Sequence, residues 1–320
     1  MRALIDFDAA AAFSVPATHP GRPAVEGLVL EGPQGWGEFS PRSAAQAGPA
    51  LVAATEGGTV GWPDPVRGRV PVALTVDTAD PDRAAAMVAA SGCRTVRVPV
   101  GAGPATLPDD LARCRAAHAA VGPHGRVRLV LAAGWDPEAA APALRTLQRA
   151  CGGIEFAEIP AGTTGQLAAL RRGCDVPVAI EAAGLEPAGS DAEAVLRHAD
   201  VVVLGVAALG GVRRALRIAQ SIPRPAVVGS PGETSLGLAA GLALAGALPS
   251  LEYACALGDL GALAGDLVDP ARSLRPVDGQ LPVAPMPPAP DGAALARFAL
   301  RDPGRVRHWR ALLAGARDRD

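Results

Sequence analysis

The stretch from residue 95 to residue 131 decides the fold. It opens with Thr95–Val100 (TVRVPV), a short run rich in β-branched residues. It continues through Pro108–Val121 (PDDLARCRAAHAAV), where a proline and acidic residues lead into alanine, leucine and arginine at helical spacing. It closes on a second β-rich run, Val127–Leu131 (VRLVL). A strand, a crossover helix and a second strand form the repeating unit of a parallel sheet. Proline in the first turn and a nearby Asp or Ser cap mark where such helices begin.

Working outward, the same rhythm holds from about residue 70. The strand-like runs are Val70–Val76, Thr95–Val100, Val127–Leu131, Ile154–Glu158, Val176–Glu181, Val201–Leu204, Ala226–Gly229 and Leu251–Ala254. Between them lie helix-like stretches at Pro81–Ala90, Pro108–Val121, Pro137–Ala150, Thr164–Arg172, Asp191–His198, Gly211–Ser221 and Thr234–Ala245. Eight strands alternating with helices imply a parallel (β/α) barrel. A doubly wound open sheet is the alternative, weakened because no GxGxxG follows the first strand. Ahead of the rhythm stand strand-like Gly27–Leu30 and Gly35–Phe39, a helix over Ser43–Thr55 and a linker at Gly61–Pro65; after it come a proline-rich Pro282–Pro290 and a helix-like Gly292–Leu300. The expected division is an α+β capping domain over 1–68, completed by 285–320, and a barrel domain over 69–284. No tandem repeat stands out beyond the β/α period.

Composition narrows the function classes. Of 320 residues, 49% are hydrophobic and 19% charged, ample for a buried core. A net charge of −2 gives no pull toward nucleic acid or an anionic membrane. Leu236–Leu248 is the nearest approach to a charge-free apolar span and is too short to cross a bilayer. Asp6 falls where a signal peptide would carry its apolar run, so a cytoplasmic protein is expected. The five cysteines are scattered, without CxxC spacing, and read as buried reduced thiols. All 30 basic residues are arginine: the chain contains no lysine. It therefore has no amine to serve as general base, Schiff-base nucleophile or phosphate-binding cation, and arginine, which keeps its proton, is a poor base.

In a barrel of this kind the active site lies at the C-terminal ends of the strands. The candidate ligand-binding residues are Asp77, Arg97, Pro99, Val130, Ala132, Glu158, Glu181, Gly205, Ser230 and Glu233. Alternation puts Arg97 and Pro99 on one face and turns Glu155 away from Glu158. Glu158 and Glu181 end successive strands. Converging, they would bind a divalent cation or work as an acid/base pair; otherwise they are solvated or arginine-paired loop acids. Arg97 either clamps a carboxylate ligand bidentately or stands at the surface. The backbone of Ser230–Glu233, ahead of a helix, offers N–H groups to an anion or simply caps the helix. The five histidines show no ligand spacing, which argues against a histidine metal site or a Ser–His nucleophile.

Several motifs together resemble the actinobacterial o-succinylbenzoate synthases of the enolase superfamily, over most of residues 25–285. They are Gly35-Trp36-Gly37-Glu38-Phe39-Ser40-Pro41, Gly134-Trp135-Asp136, Glu155-Phe156-Ala157-Glu158-Ile159-Pro160, Asp175-Val176-Pro177-Val178-Ala179, Leu209-Gly210-Gly211-Val212-Arg213, Glu233-Thr234-Ser235-Leu236-Gly237-Leu238-Ala239-Ala240-Gly241 and Tyr253-Ala254-Cys255. The resemblance implies an α+β cap over a modified (β/α)₇β barrel, a Mg²⁺ ion, and dehydration of a cyclohexadiene carboxylate in menaquinone biosynthesis.

The departures from the family pattern fall on the chemistry. The resemblance implies Lys-x-Lys on the second strand, where this chain has Arg97 and Pro99, and a lysine on the sixth, where it has Gly205. It implies an acidic metal ligand on the third strand, where Val130 stands in a Val130-Leu131-Ala132 run. It leaves Glu158 and Glu181 as the residual metal ligands, too few to hold Mg²⁺ other than weakly. No cofactor is expected. The leading expectation is a repurposed, metal-independent enzyme taking a small apolar or carboxylated ligand at the barrel mouth. The rivals are a non-catalytic protein binding a ligand or a protein partner, and a residual o-succinylbenzoate synthase, a lyase.

Overall fold

The computed structural model describes residues 5–19, 22–160, 163–185, 194–284 and 286–318. Strands β1 (Ala11–Val15), β2 (Val25–Gly32) and β3 (Gly35–Phe39) form an antiparallel sheet in that order. Helix α1 (Ala47–Thr59) lies across it. The approach is close enough that a Cβ on Gly37 would stand 1.8 Å from the Ala54 carbonyl oxygen, so β3 admits no side chain there. The helix expected over Ser43–Thr55 is present but begins as a 3₁₀ turn at Ala44–Gln46 and runs on to Thr59.

The expected Val70–Val76 strand divides. Its first part, β4 (Arg69–Pro71), pairs outside the barrel; its second, β5 (Ala73–Thr75), enters it. There follow α2 (Pro81–Ser91), β6 (Thr95–Val100), α3 (Leu107–Val121), β7 (Arg126–Leu131), α4 (Pro137–Ala150), β8 (Ala157–Ile159), α5 (Thr164–Gly173) and β9 (Val178–Glu181). After them come β10 (Val201–Leu204), the short α6 (Val206–Leu209), α7 (Val212–Ser221), β11 (Ala226–Val228) and α8 (Ser235–Ala247). The Asp191–His198 helix expected from sequence lies partly outside the described residues. Helix starts follow the sequence signals: Asp80 and Asp136 accept from backbone N–H groups of α2 and α4, and Thr163 with Gln166 makes a capping box for α5.

Strands β5 to β11 form one parallel sheet in chain order. Single parallel bridges from Cys255 to Val72 and from Ala256 to Gly229 close the curl. This is a modified (β/α)₇β barrel with an N-terminal capping sheet. The eighth strand was expected at Leu251–Ala254; pairing falls just beyond it, because the barrel closes on the residues that reach both β5 and β11. The chain then returns through β12 (Gln280–Pro282), antiparallel to β4, α9 (Gly292–Arg297) and α10 (Pro303–Arg317). Helix α10 packs on α1, and Leu313 and Ala316 bury beside Leu51 and Ala54.

Register fixes what enters the barrel. Thr75, Arg97 and Arg128 lie side by side, as do Val130, Glu158 and Ala179, and Glu181, Val203 and Val227. The intervening residues Val96, Val98, Leu129 and Ala157 bury under the helices. Arg128 is wholly inside. Its Nε donates to Glu155 Oε2 at 2.6 Å, its Nη1 donates to the Ala254 carbonyl at 2.7 Å, and its guanidinium lies 4.3 Å from the Phe156 ring centre. Alternation does not separate Glu155 from Glu158 as expected, because β8 begins only at Ala157; each carboxylate meets an inward arginine. All five cysteines are free and buried. Among the described residues no helix is long and apolar enough to cross a membrane.

Arg128→Ala leaves a cavity and strands Glu155, so we expect a loss of roughly 3–5 kcal/mol in urea denaturation. Arg128→Met, which fills the space without charge, should lose clearly less. Equal losses would mean that the ion pair, rather than burial, holds this end of the barrel.

Candidate active site

A cavity of about 250 Å³ opens at the C-terminal ends of the barrel strands. The barrel supplies Thr75, Arg97, Val130, Glu158, Glu181, Gly205 and Asp259; the N-terminal part of the chain roofs it with Arg22, Ser40 and Arg42. Most of the remaining wall is apolar, including Leu131, Ile159, Ala183 and Val203.

The floor is organised by one guanidinium. Arg97 Nε and Nη2 donate to the two oxygens of Glu158 at 2.8 and 2.6 Å, a fork-to-fork pair between neighbouring positions of the inner face. Its Nη1 donates to Thr75 Oγ1 at 2.8 Å and stands 3.6 Å from Asp259 Oδ2. Asp259 is held in turn by the Thr75 amide at 2.8 Å and hydroxyl at 2.6 Å. Burial alone would lower the pKa of this arginine. The charges of Glu158, Asp259 and Glu181 outweigh it and hold the guanidinium above its ordinary value, a fixed cation. The arginine fork expected to clamp a ligand carboxylate is therefore already filled by Glu158.

The same pair decides the fit of Mg²⁺, the ion the family resemblance implies. Both Glu158 oxygens accept from Arg97, Val130 brings a hydrocarbon to the third-strand position, and a guanidinium stands where a cation would be drawn. Among the described residues no group of three or more His, Cys, Asp or Glu side chains could hold a metal ion. These residues do not fit the ion. Of the readings left open for Glu158, arginine pairing is the one observed.

The other expected residues divide. Val130, Glu181, Gly205 and Ser230 border the cavity with Arg97 and Glu158. Glu181 is exposed to it and makes no hydrogen bond or ion pair with a described residue, feeling Arg97 only at longer range. Asp77 stands outside the lining and holds a lining residue, accepting from Arg22 Nη1 at 2.7 Å. Pro99 and Ala132 do not line it. Arg97 supplies the floor on Pro99's strand and a compact ring adds no reach; Ala132 lies past the end of β7, exposed, its amide bound to the Val100 carbonyl.

Glu233 turns away from the cavity. Its carboxylate accepts from Ser230 Oγ at 2.7 Å and borders a separate cavity of about 20 Å³ together with Glu38, Trp36 and Trp62. Glu38, from β3, accepts from Ser40 Oγ at 2.7 Å, and from the Thr234 hydroxyl and amide and the Gly237 amide at 2.5, 3.1 and 3.2 Å. Burial first, and then the Glu233 charge, push its pKa up to about 8; burial raises Glu233 as well.

Sequence reasoning missed Arg22, Arg42 and Thr75. Thr75 was legible, since it shares the inner face at the end of a foreseen strand. The other two come from loops, where no period marks which side chains converge.

Comparison with known proteins places this geometry in a lineage. The family described as Enolase C-terminal domain-like matches residues 80–290. The o-succinylbenzoate synthase of Thermobifida fusca (strain YX) is 43% identical over 301 residues, covering 91% of this chain and 90% of that protein. That of Mycobacterium ulcerans (strain Agy99) is 40% identical, covering 89% and 85%. Among solved structures, the muconate lactonizing enzyme from Pseudomonas putida superposes with a TM-score of 0.74 at 20% identity, covering 92% of this chain and 99% of that one, a likeness of fold. With a matching family domain over its barrel and relatives at 40% identity or more along nearly its whole length, the chain belongs to the o-succinylbenzoate synthase family of the enolase superfamily.

Proposed function

We propose that this chain is a repurposed, metal-independent member of its family. Its barrel mouth takes a small molecule with an apolar body and a carboxylate and acts on it through its own side chains. The observation that carries this reading is the bidentate Arg97–Glu158 pair, which occupies both oxygens of the acid best placed to bind a metal. Proton abstraction next to a carboxylate needs a positioned base and a charge to steady the enolate. Here the lysine positions of the family pattern hold Arg97, Pro99 and Gly205, and general-base loss alone costs roughly 10²–10⁴-fold. The family's Mg²⁺-dependent dehydration is lost on this reading.

What remains is a different division of labour. Arg97, locked as a cation, supplies a fixed positive field at the floor. Glu181, free of partners among the described residues, is the carboxylate able to accept a proton from a bound molecule and return it. Arg42 lines the mouth, exposed and without an ion pair among the described residues, and anchors the ligand carboxylate. The apolar wall favours a reaction steered by shape, such as a cyclisation or rearrangement. On this reading residues 1–68 with 285–320 cap a barrel over 69–284. A second reading, a non-catalytic protein binding a ligand or a partner, is favoured by one observation: among the described residues no histidine, cysteine or tyrosine lines the cavity.

Three outcomes follow. Calorimetry should give no binding isotherm at millimolar Mg²⁺, whereas the double variant Arg97→Ala, Val130→Asp should gain one. Benzoate, a ring with one carboxylate, should bind without added metal, and Arg42→Ala should weaken it about tenfold, or about 1.4 kcal/mol. Purified protein should fail to dehydrate the substrate of its o-succinylbenzoate synthase relatives with or without Mg²⁺; Mg²⁺-dependent turnover would restore the residual-synthase reading.

A further inference from the structure

Two carboxyls, Glu38 buried and Glu233 half-buried, belong to no part of the cavity's chemistry, yet they join the roof of the molecule to its rim. Glu38 comes from the capping sheet and reaches the start of α8, accepting from Thr234 and Gly237. Glu233 comes from the segment ahead of α8 and holds Ser230, whose Oγ also accepts from the Gly232 amide at 3.1 Å. Ser230 and Gly232 line the large cavity, as does Ser40, which donates to Glu38. Both acids border the small cavity, which has room for a single water molecule and is shared by Trp62, whose Nε1 is shut off from solvent without a partner.

Among the described residues no cation is paired with either acid; Arg22, whose Nη2 comes near Gly232, is held by Asp77. Helices α6 and α8, which pack against them, carry no ionisable side chain. On α1, Glu56 is spent on the Val212 and Arg213 amides and the Arg213 guanidinium. On β2, Glu26 is paired with Arg305, and Glu31 is exposed. Packing leaves little slack: a Cβ on Gly237 would stand 2.9 Å from Glu233 Cβ.

We propose that Glu38 and Glu233 form a proton-operated latch: while protons remain on the pair, the capping sheet is clamped to the Ser230–Gly232 rim, and losing them frees that rim. Two carboxylates on one small cavity, one buried and one half-buried, repel and are poorly solvated, so the protonated pair is the clamped form. The sign follows. Glu38 titrates in the folded chain at about 8, above its ordinary value near 4.5. Its contribution to stability is therefore full in acid and lost as pH rises from the lower value through the higher one. The latch stands independently of the proposed metal-free chemistry.

The test uses the full chain with Trp135 and Trp309 replaced by Phe, leaving Trp36 and Trp62 beside the acids as reporters. Their fluorescence should titrate with a midpoint near pH 8. Glu38→Gln, which keeps the shape without the charge, should abolish that transition. Hydrogen exchange of residues 229–234, corrected for intrinsic rate, should be several-fold faster at about pH 9 than in mild acid in the parent and unchanged in Glu38→Gln. Glu233→Gln carries the same test should the first variant fold poorly. A transition that persists in the Gln variant, or exchange at 229–234 indifferent to pH in the parent, overturns the latch.

Discussion

Within the barrel of this protein, a guanidinium on β6 and a carboxylate on β8 meet on the inner surface across the intervening strand β7, and their burial leaves them nowhere else to go. Arg97 and Glu158 are both nearly buried, at 13% and 11% side-chain exposure, so each needs the other. Removing either partner of such a pair leaves an uncompensated charge, a loss of roughly 3–5 kcal/mol. Everything else about the floor follows from this pair. Thr75 accepts from the guanidinium and Asp259 adds its charge 3.6 Å away, and both Glu158 oxygens are engaged by the fork, which leaves only their outward lone pairs.

On the proposed reading, that arrangement lets the barrel keep its architecture while its chemistry changes. A divalent cation and an arginine answer the same electrostatic demand, a positive charge among inward carboxylates, but they differ in what they leave open. A metal keeps coordination positions for substrate. A guanidinium uses its fork on the protein and presents only its charge. Polar recognition, on the same reading, moves outward, to Arg42 at the mouth and to Glu181, which has no partner among the described residues. The rim is itself tied to the capping sheet through the acids Glu38 and Glu233, so the stripped floor and the roof remain one mechanical unit.

The sequence made much of this legible, and its failures have physical causes. Strand β6 was expected at Thr95–Val100 and β10 at Val201–Leu204, and both were found there, because β-branched runs flanked by helix caps leave little choice. Strand β1, five residues in an alanine-rich segment, carried too little period to be noticed. Helix α10 was overlooked amid its many arginines, although Asp302 followed by Pro303 is a start signal. For the site, alternation put Arg97 and Pro99 on one face but did not tell that β6 and β8 would bring Arg97 and Glu158 within a hydrogen bond. Glu38 stood in a quoted motif as a mere letter of resemblance; only the fold revealed that it shares a small cavity with Glu233 and bonds Thr234, 196 positions away.

The central claim, that an internal arginine has taken the place of a metal, is tested most directly by a crystal structure of the protein soaked in Mn²⁺ and recorded at the manganese edge. The account requires Arg97 to remain on Glu158 with no anomalous peak at the barrel mouth. A manganese ion bound by Glu158 and Glu181, with Arg97 swung aside, would contradict it.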